Sequence, residues 1–206
     1  MINWKNLYEK LSDMKRIVLS THENPDGDGL GCAYAMHHIA KKMNIESKII
    51  TATKFSKQYN FLNQDNCIEL YDYDIHYNWI KDADAAFIFD VGDFVRLRDV
   101  GRALTENKIY TFNIDHHPSL ENSSFNENYV DTAAAATGEM IYEFIKKNEI
   151  NFTKDEAIGV YTAIMTDTGS FRHSNTNSNC HKIAMECIEL GAVSYTHLRA
   201  HETVSH

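Results

Sequence analysis

Proline is almost missing from this chain: among 206 residues only Pro25 and Pro118 occur, and both stand beside chemically loaded residues. Four cysteines, Cys32, Cys67, Cys180 and Cys187, show no Cys-x-x-Cys spacing. Neither a zinc knuckle nor a disulfide framework is suggested, and buried free thiols are the expectation. No apolar run approaches the ~20 residues that span a bilayer, and the N-terminus lacks the basic-then-apolar pattern of a signal peptide. These absences predict a cytoplasmic protein with no membrane partner. Excess positive charge is absent too: the net charge of -9 argues against a basic face for long duplex nucleic acid. It leaves room for a small phosphorylated substrate, because cations held by the surplus carboxylates would supply positive charge locally.

What is present is material for a core. A hydrophobic content of 43% over this length excludes a disordered chain and suits one large domain. Trp4, Leu7 and Leu11 recur at helical spacing, Arg16–Ser20 reads as a buried strand, and Leu30–Met43 as a helix entered from a glycine-rich turn. Ser47–Thr51, Ala85–Phe89 and Ile109–Ile114 read as further strands, and the stretch from Lys54 to Ile80 as short mixed pieces. Helical pattern covers Arg96–Leu104, Ala134–Lys147, Thr153–Thr166 and Asn177–Leu190. This alternation predicts an α/β fold, mainly a parallel sheet with helices on both faces. Ligands of such sheets bind beyond the carboxyl ends of the strands.

Residues 1–192 are expected to form this domain, and 193–206 an atypical tail. Its segment Ser194–His206 has no apolar periodicity and carries His197, His201 and His206. It reads as a non-native appendage, with a frayed native linker as the plainer alternative.

The chemistry concentrates just after the strands. His22-Glu-Asn-Pro-Asp26-Gly-Asp28-Gly-Leu-Gly31 follows the first strand, Asp90 follows Ala85–Phe89, and Asp115-His116-His117 ends the next. Carboxylates repel one another unless a cation lies between them, and divalent cations favour hard oxygen and imidazole donors. Pro25 and the glycines at 27, 29 and 31 are expected to turn the backbone tightly so that neighbouring side chains converge. Each residue also has a bland explanation. Asp90 or Asp115 alone would be a helix cap, Asp26-Gly-Asp-Gly an ordinary turn, His22 a hydrogen-bonding histidine, and Asp167-Thr-Gly a helix end. The delivery of such residues by three stretches that each follow a strand, His22 with Asp26 and Asp28, Asp90, and Asp115 with His116, points instead toward a metal site. The acidic residues Asp72, Asp74, Asp82 and Asp84 are expected to form a solvated face, and His37, His38, His76, His173 and His181 to serve surface or packing roles.

His22-x-x-x-Asp26-x-Asp28, Phe89-Asp90, Asp115-His116-His117 and Thr166-Asp167-Thr-Gly-Ser-Phe171 resemble, in order and separation, the motifs of the DHH phosphoesterase superfamily. The similarity covers about residues 15–192. Ala135-Ala-Thr-Gly-Glu139 and Arg172 followed by Asn175-Thr176 resemble the oligoribonuclease branch, which degrades very short RNAs and dephosphorylates 3′-phosphoadenosine 5′-phosphate. The resemblance implies two divalent ions, manganese first, with magnesium, cobalt or iron as alternatives. It implies that His22, Asp26 and Asp90 hold one ion and Asp28, Asp90, His116 and Asp167 the other. His117 would contact the scissile phosphate, Asp115 would orient its neighbours, and Arg172 would be a further phosphate contact. The implied partners are short RNA or a phosphorylated nucleotide, and a homodimer is compatible with the family.

The chain departs from that branch in one respect. Members bear a second domain with a Gly-Gly-Gly-His-type substrate clamp, and no two adjacent glycines occur here. The expectation is a complete metal shell with weak turnover in this chain alone. Competing expectations are a family II-like inorganic pyrophosphatase, a linear or cyclic dinucleotide phosphodiesterase, and an inactive metal- or nucleotide-binding fragment.

Overall fold

The computed structural model of the chain describes residues 2–118 and 124–192. The segment 193–206 lies outside the described residues. Among the described residues, six strands form one sheet: β1 (Arg16–Thr21), β2 (Glu46–Thr51), β3 (Ile68–Leu70), β4 (Ala85–Phe89), β5 (Tyr110–Asp115) and β6 (Glu127–Val130). Their order is β3-β2-β1-β4-β5-β6 and every pairing is parallel. Strands buried on both faces read as continuous apolar runs, and Ala85–Phe89 is buried at every position.

Among the described residues, seven α-helices cover the sheet. Helices α1 (Trp4–Ser12), α2 (Gly27–Lys42), α5 (Thr137–Lys147), α6 (Lys154–Asp167) and α7 (Ser178–Glu189) contribute to the larger core with Ile17, Leu19, Phe87, Phe89 and Phe112. Helices α3 (Tyr73–Lys81) and α4 (Arg98–Glu106) pack on the other face against Val18, Ile50, Ala86 and Ile88. The alternation of Ile17, Val18 and Leu19 between the two cores is the period-two pattern of a strand covered on both sides.

Several boundaries differ from the sequence expectation for identifiable reasons. Helix α2 starts at Gly27 rather than Leu30, because Asp26 caps it by accepting the Asp28 and Gly29 amides at 3.0 and 3.2 Å. Among the described residues, only Gly169 and Gly191 are glycines at positive φ, so the three glycines of α2 do not serve as turning points. They serve close packing instead. A Cβ on Gly29 would lie 1.9 Å from Thr21 Oγ1, and one on Gly31 2.3 Å from the Gly159 carbonyl of α6. The left-handed residue of that loop is Asn24, at φ 52°.

Helix α5 starts at Thr137, not Ala134, and the helix expected at Arg96 splits into a 3-10 turn, Phe94–Leu97, followed by α4. Strands β3 and β6 were not singled out from sequence. The acidic residues expected on a solvated face are partly structural. Asp72 caps α3, and Asp84 accepts the Lys15 and Arg16 amides at 2.7 and 2.9 Å.

Candidate metal centre

The order of strands reverses at β1, whose neighbours β2 and β4 run outward in opposite directions, and the crevice at such a switch point is where ligands of open parallel sheets bind. His22 leaves the end of β1, Asp90 the end of β4, and Asp115 is the last residue of β5. Asp26 and Asp28 stand at the start of α2, and Asp167 is the last residue of α6. Five elements thus deliver side chains to one end of the sheet.

Two groups of donors flank Asp90. His22, Asp26 and Asp90 form one and Asp28, His116 and Asp167 the other, and a third, Asp90, His116 and His117, overlaps both, each with its ligand atoms within 4.8 Å of one another. His22 Nε2 lies 3.5 Å from Asp26 Oδ2 and 3.5 Å from Asp90 Oδ2. His116 Nε2 lies 3.0 Å from Asp167 Oδ2, 3.6 Å from Asp90 Oδ1 and 3.7 Å from Asp28 Oδ2. Asp90 therefore faces one group with each carboxylate oxygen, and its backbone holds the left-handed φ of 61°. Its amide donates to the Ile114 carbonyl at 3.0 Å, which fixes that turn to β5.

Both imidazoles are oriented from behind. His22 Nδ1–H donates to the Glu23 carbonyl at 2.7 Å, and His116 Nδ1–H to the Ala134 carbonyl at 3.2 Å. Occupying Nδ1 in this way turns the lone pair of Nε2 toward the carboxylates, the arrangement used by metal-binding histidines. His116 Nε2 is buried and makes no well-directed hydrogen bond.

The electrostatics favour a cation. Asp28 is fully buried, and burial together with the Asp90 and Asp167 carboxylates pushes its carboxyl well above the usual range, against the Thr137 amide, which lowers it. Burial also pushes Asp90 up, but His117 and His22 outweigh it and hold the carboxyl at about 2. For His22, burial acts downward and hydrogen bonds to Asp26 and Asp90 prevail, lifting it to about 10. Burial likewise lowers His116, and the Asp167 carboxylate more than restores it. In the metal-free chain, protonated imidazoles thus do the work of cations. Hard carboxylate oxygens and imidazole nitrogens, with an unused buried Nε2, suit a pair of divalent ions.

His117 and Asp115 flank this centre. Asp115 Oδ1 accepts the His117 amide at 3.1 Å and His117 Nδ1–H at 2.9 Å, while His117 Nδ1 lies 3.3 Å from Asp90 Oδ1. The hydrogen bond to Asp115, then that to Asp90, raises the half-exposed His117 to about 10. Arg172 stands apart from both groups. It is exposed, and its Nε–H donates to the Gly169 carbonyl at 2.8 Å.

One part of the site was not picked out from sequence. The N-terminus of α5 has no side-chain cap of its own, and the Asp28 carboxylate fills that place from another helix, accepting the Thr137 and Gly138 amides at 2.7 and 2.9 Å. Thr137 Oγ1 also lies 3.4 Å from Asp90 Oδ1. The signal was the Ala135–Glu139 stretch, which sequence shows as a helix opening but not as a cradle for a carboxylate 109 residues away.

The fold and site together define an α/β protein with a two-part carboxylate and histidine centre at the switch point of a parallel sheet. The chain belongs to the DHH family: that family's N-terminal domain matches residues 16–164. The bifunctional oligoribonuclease and PAP phosphatase NrnA of Thermus thermophilus is 28% identical over 177 residues, covering 85% of this chain and 50% of the relative. A protein of Streptococcus equi subsp. zooepidemicus named as a probable manganese-dependent inorganic pyrophosphatase is 23% identical over 190 residues, covering 87% of this chain and 57% of its own length. A crystal structure of an exopolyphosphatase-related protein from Bacteroides fragilis has the same fold, with a TM-score of 0.85 at 20% identity over 96% of this chain and 59% of that one. The chain spans about half the length of the curated relatives it matches.

Proposed function

We propose that residues 1–192 are the catalytic domain of a binuclear metal-dependent phosphohydrolase that cleaves short oligoribonucleotides to mononucleotides and 3′-phosphoadenosine 5′-phosphate to AMP. The observation that carries the reading is the division of Asp90 between two donor groups, Oδ2 toward His22 and Oδ1 toward His116. A shared carboxylate is what a two-ion site requires. His22, Asp26 and Asp90 would hold one ion, and Asp28, Asp90, His116 and Asp167 the other, with Mn²⁺ favoured by the manganese-dependent relative and by the mixed donor set. Bound at such a site, a pair of divalent ions lowers the pKa of a water and neutralises charge at the phosphorus.

The chain's own residues do the rest. His117 is anchored through Nδ1 by Asp115, holds its proton at neutral pH, and is half exposed, so it presents a cation to a non-bridging phosphoryl oxygen. Asp115 is buried and keeps that imidazole in one orientation. Arg172, on the exposed turn after Asp167, keeps its terminal amino groups for a second phosphate contact. In the in-line displacement, water oxygen bonds to phosphorus as the ester P–O bond breaks, and the leaving oxygen takes up a proton.

The pyrophosphatase relative supports a second reading, hydrolysis of pyrophosphate at the same centre. With Mn²⁺ present, release of AMP from 3′-phosphoadenosine 5′-phosphate and of mononucleotides from a dinucleotide, both abolished by Asp90→Asn, is the expected result. Rapid turnover of pyrophosphate with indifference to nucleotides would overturn the first reading in favour of the second.

A further inference from the structure

The second donor group is assembled from parts of the chain that share no strand: Asp28 from α2, His116 from the end of β5 and Asp167 from α6. Two of the three are gripped by one short segment. The Ala134 carbonyl accepts His116 Nδ1–H, and the Thr137 and Gly138 amides donate to Asp28. Segment 134–138 therefore sets the relative position of His116 and Asp28. Among the described residues, the Asp167 carboxylate pairs with His116 Nε2 at 3.0 Å and with no group of that segment.

The missing link is Asn175. Its Nδ2 donates to the Ala135 carbonyl at 3.0 Å and to the Asp167 carbonyl at 3.2 Å. Both neighbours are acceptors, so only the amide nitrogen, with its two hydrogens, suits the position. The side chain is delivered by an uncommon turn. Gly169, Ser170 and Phe171 all take left-handed φ, at 56, 60 and 63°. Such a run is disfavoured for residues carrying a Cβ. Thr168 holds it closed: its carbonyl accepts the Arg172 and His173 amides, both at 2.9 Å, and its Oγ1 accepts the Phe171 amide at 3.1 Å. The chain is thereby folded back on the end of α6. His173 Nδ1 also reaches the Asp167 carbonyl, at 3.3 Å, but has no bond to segment 134–138.

We propose that Asn175 is a positioning residue that locks Asp167 to the segment holding His116 and Asp28, and so sets the affinity of the second of the two ions without touching the first. The inference rests on the binuclear reading above. His22, Asp26 and Asp90 are reached by none of these bonds, and their imidazole is fixed instead by Glu23. Because Asn175 is exposed, its removal leaves the core intact.

The test is Mn²⁺ titration of the full chain by calorimetry, followed by electron paramagnetic resonance at two equivalents, in a background with His197, His201 and His206 replaced by alanine. The parent is expected to bind two ions with the spectrum of a spin-coupled pair. Asn175→Ala is expected to leave the first binding event within twofold and to weaken the second about 10- to 100-fold, the range for residues that orient ligands. The spectrum at two equivalents then becomes that of an isolated ion. Asn175→Asp, which places a carboxylate against two carbonyls, is expected to weaken the second event further. The thermal midpoint of the metal-free chain stays unchanged in both. Two parental affinities in the variants would overturn the role of Asn175 while leaving the binuclear reading in place. Loss of both ions together with a lowered midpoint would reduce Asn175 to a folding residue. Failure of the parent to bind two ions would overturn the binuclear reading, and the proposal with it.

Discussion

Gly31 of α2 and Gly159 of α6 meet backbone to backbone, each so close that a Cβ on one would lie 2.3 or 2.4 Å from the other's carbonyl oxygen. No side chain fits between the helices at that crossing. Because Asp28 lies in the first turn of α2 and Asp167 ends α6, the spacing of these two carboxylates is inherited from the glycine contact. Gly159→Ala is expected to force the helices apart, at a cost of about 2 kcal/mol in denaturant unfolding. It should also weaken the second Mn²⁺ while sparing the first, which metal titration of the folded variant reads directly.

The far ends of the same helices are joined by an ion pair. Lys42 Nζ lies 2.7 Å from Glu156 Oε2, and Glu156 is fully buried while also accepting the Thr153 amide and hydroxyl. Lys42→Met removes the only cation paired with that carboxylate among the described residues. Stranding a buried charge is expected to cost about 2 to 3 kcal/mol, less than for a wholly enclosed pair because Lys42 is one-third exposed. Equilibrium urea unfolding measures it. Lys42→Met paired with Glu156→Gln should recover most of the loss.

Stability of the metal-free chain should fall with rising pH. His22 and His117 stand at about 10 in the folded chain against an ordinary 6.5, so their contribution is complete below 6.5 and is lost as pH climbs through 10. The buried His22 carries more of this than the half-exposed His117. The raised Asp28 carboxyl acts with the same sign, since ionising it inside the fold is unfavourable. Mn²⁺ competes with those protons and binds more tightly as they leave. Melting curves between about pH 6 and about pH 8.5 are therefore expected to show a falling midpoint in EDTA and a widening gap between EDTA and Mn²⁺. A gap that narrows with pH would contradict the assignment of these histidines to the centre.

Asp115→Asn isolates the role of His117. The substitution keeps the shape of the side chain but removes the anion that contributes most to raising the imidazole. The His117 resonance in the metal-free chain is expected to titrate below about 10, with Asp90 still holding it above an unpaired histidine. Turnover should fall more than Mn²⁺ affinity does.

Much of this architecture was legible in the sequence where burial dictates composition. Strand β4 is a continuous apolar run, β1 and β5 are buried along nearly all their length, and the residues at and just after their ends are the acids and histidines that meet at the centre. The edges were less visible. Strand β6, Glu127–Val130, carries Glu127, Asn128 and Tyr129, and nothing in that pattern distinguishes it from a loop. The glycines of α2 looked like turning points because two of their packing partners, Thr166 against Gly27 and Gly159 against Gly31, are remote in sequence. Segment 134–136 looked helical because alanine favours helices, whereas tertiary bonds from His116 and Asn175 hold it as a bend at the helix entrance. Which acids and histidines converge could be read from residue type and order. The devices that orient those ligands could not, since they are backbone groups and one amide side chain with no motif of their own.

The central claim is that one carboxylate, Asp90, joins two metal positions. It is tested most directly by counting the Mn²⁺ retained at equilibrium by the chain with its three tail histidines replaced by alanine, beside the same chain carrying Asp90→Ala. Two ions per chain in the first and a loss of both high-affinity positions in the second is the predicted result. A single ion, or two ions indifferent to Asp90→Ala, would contradict it.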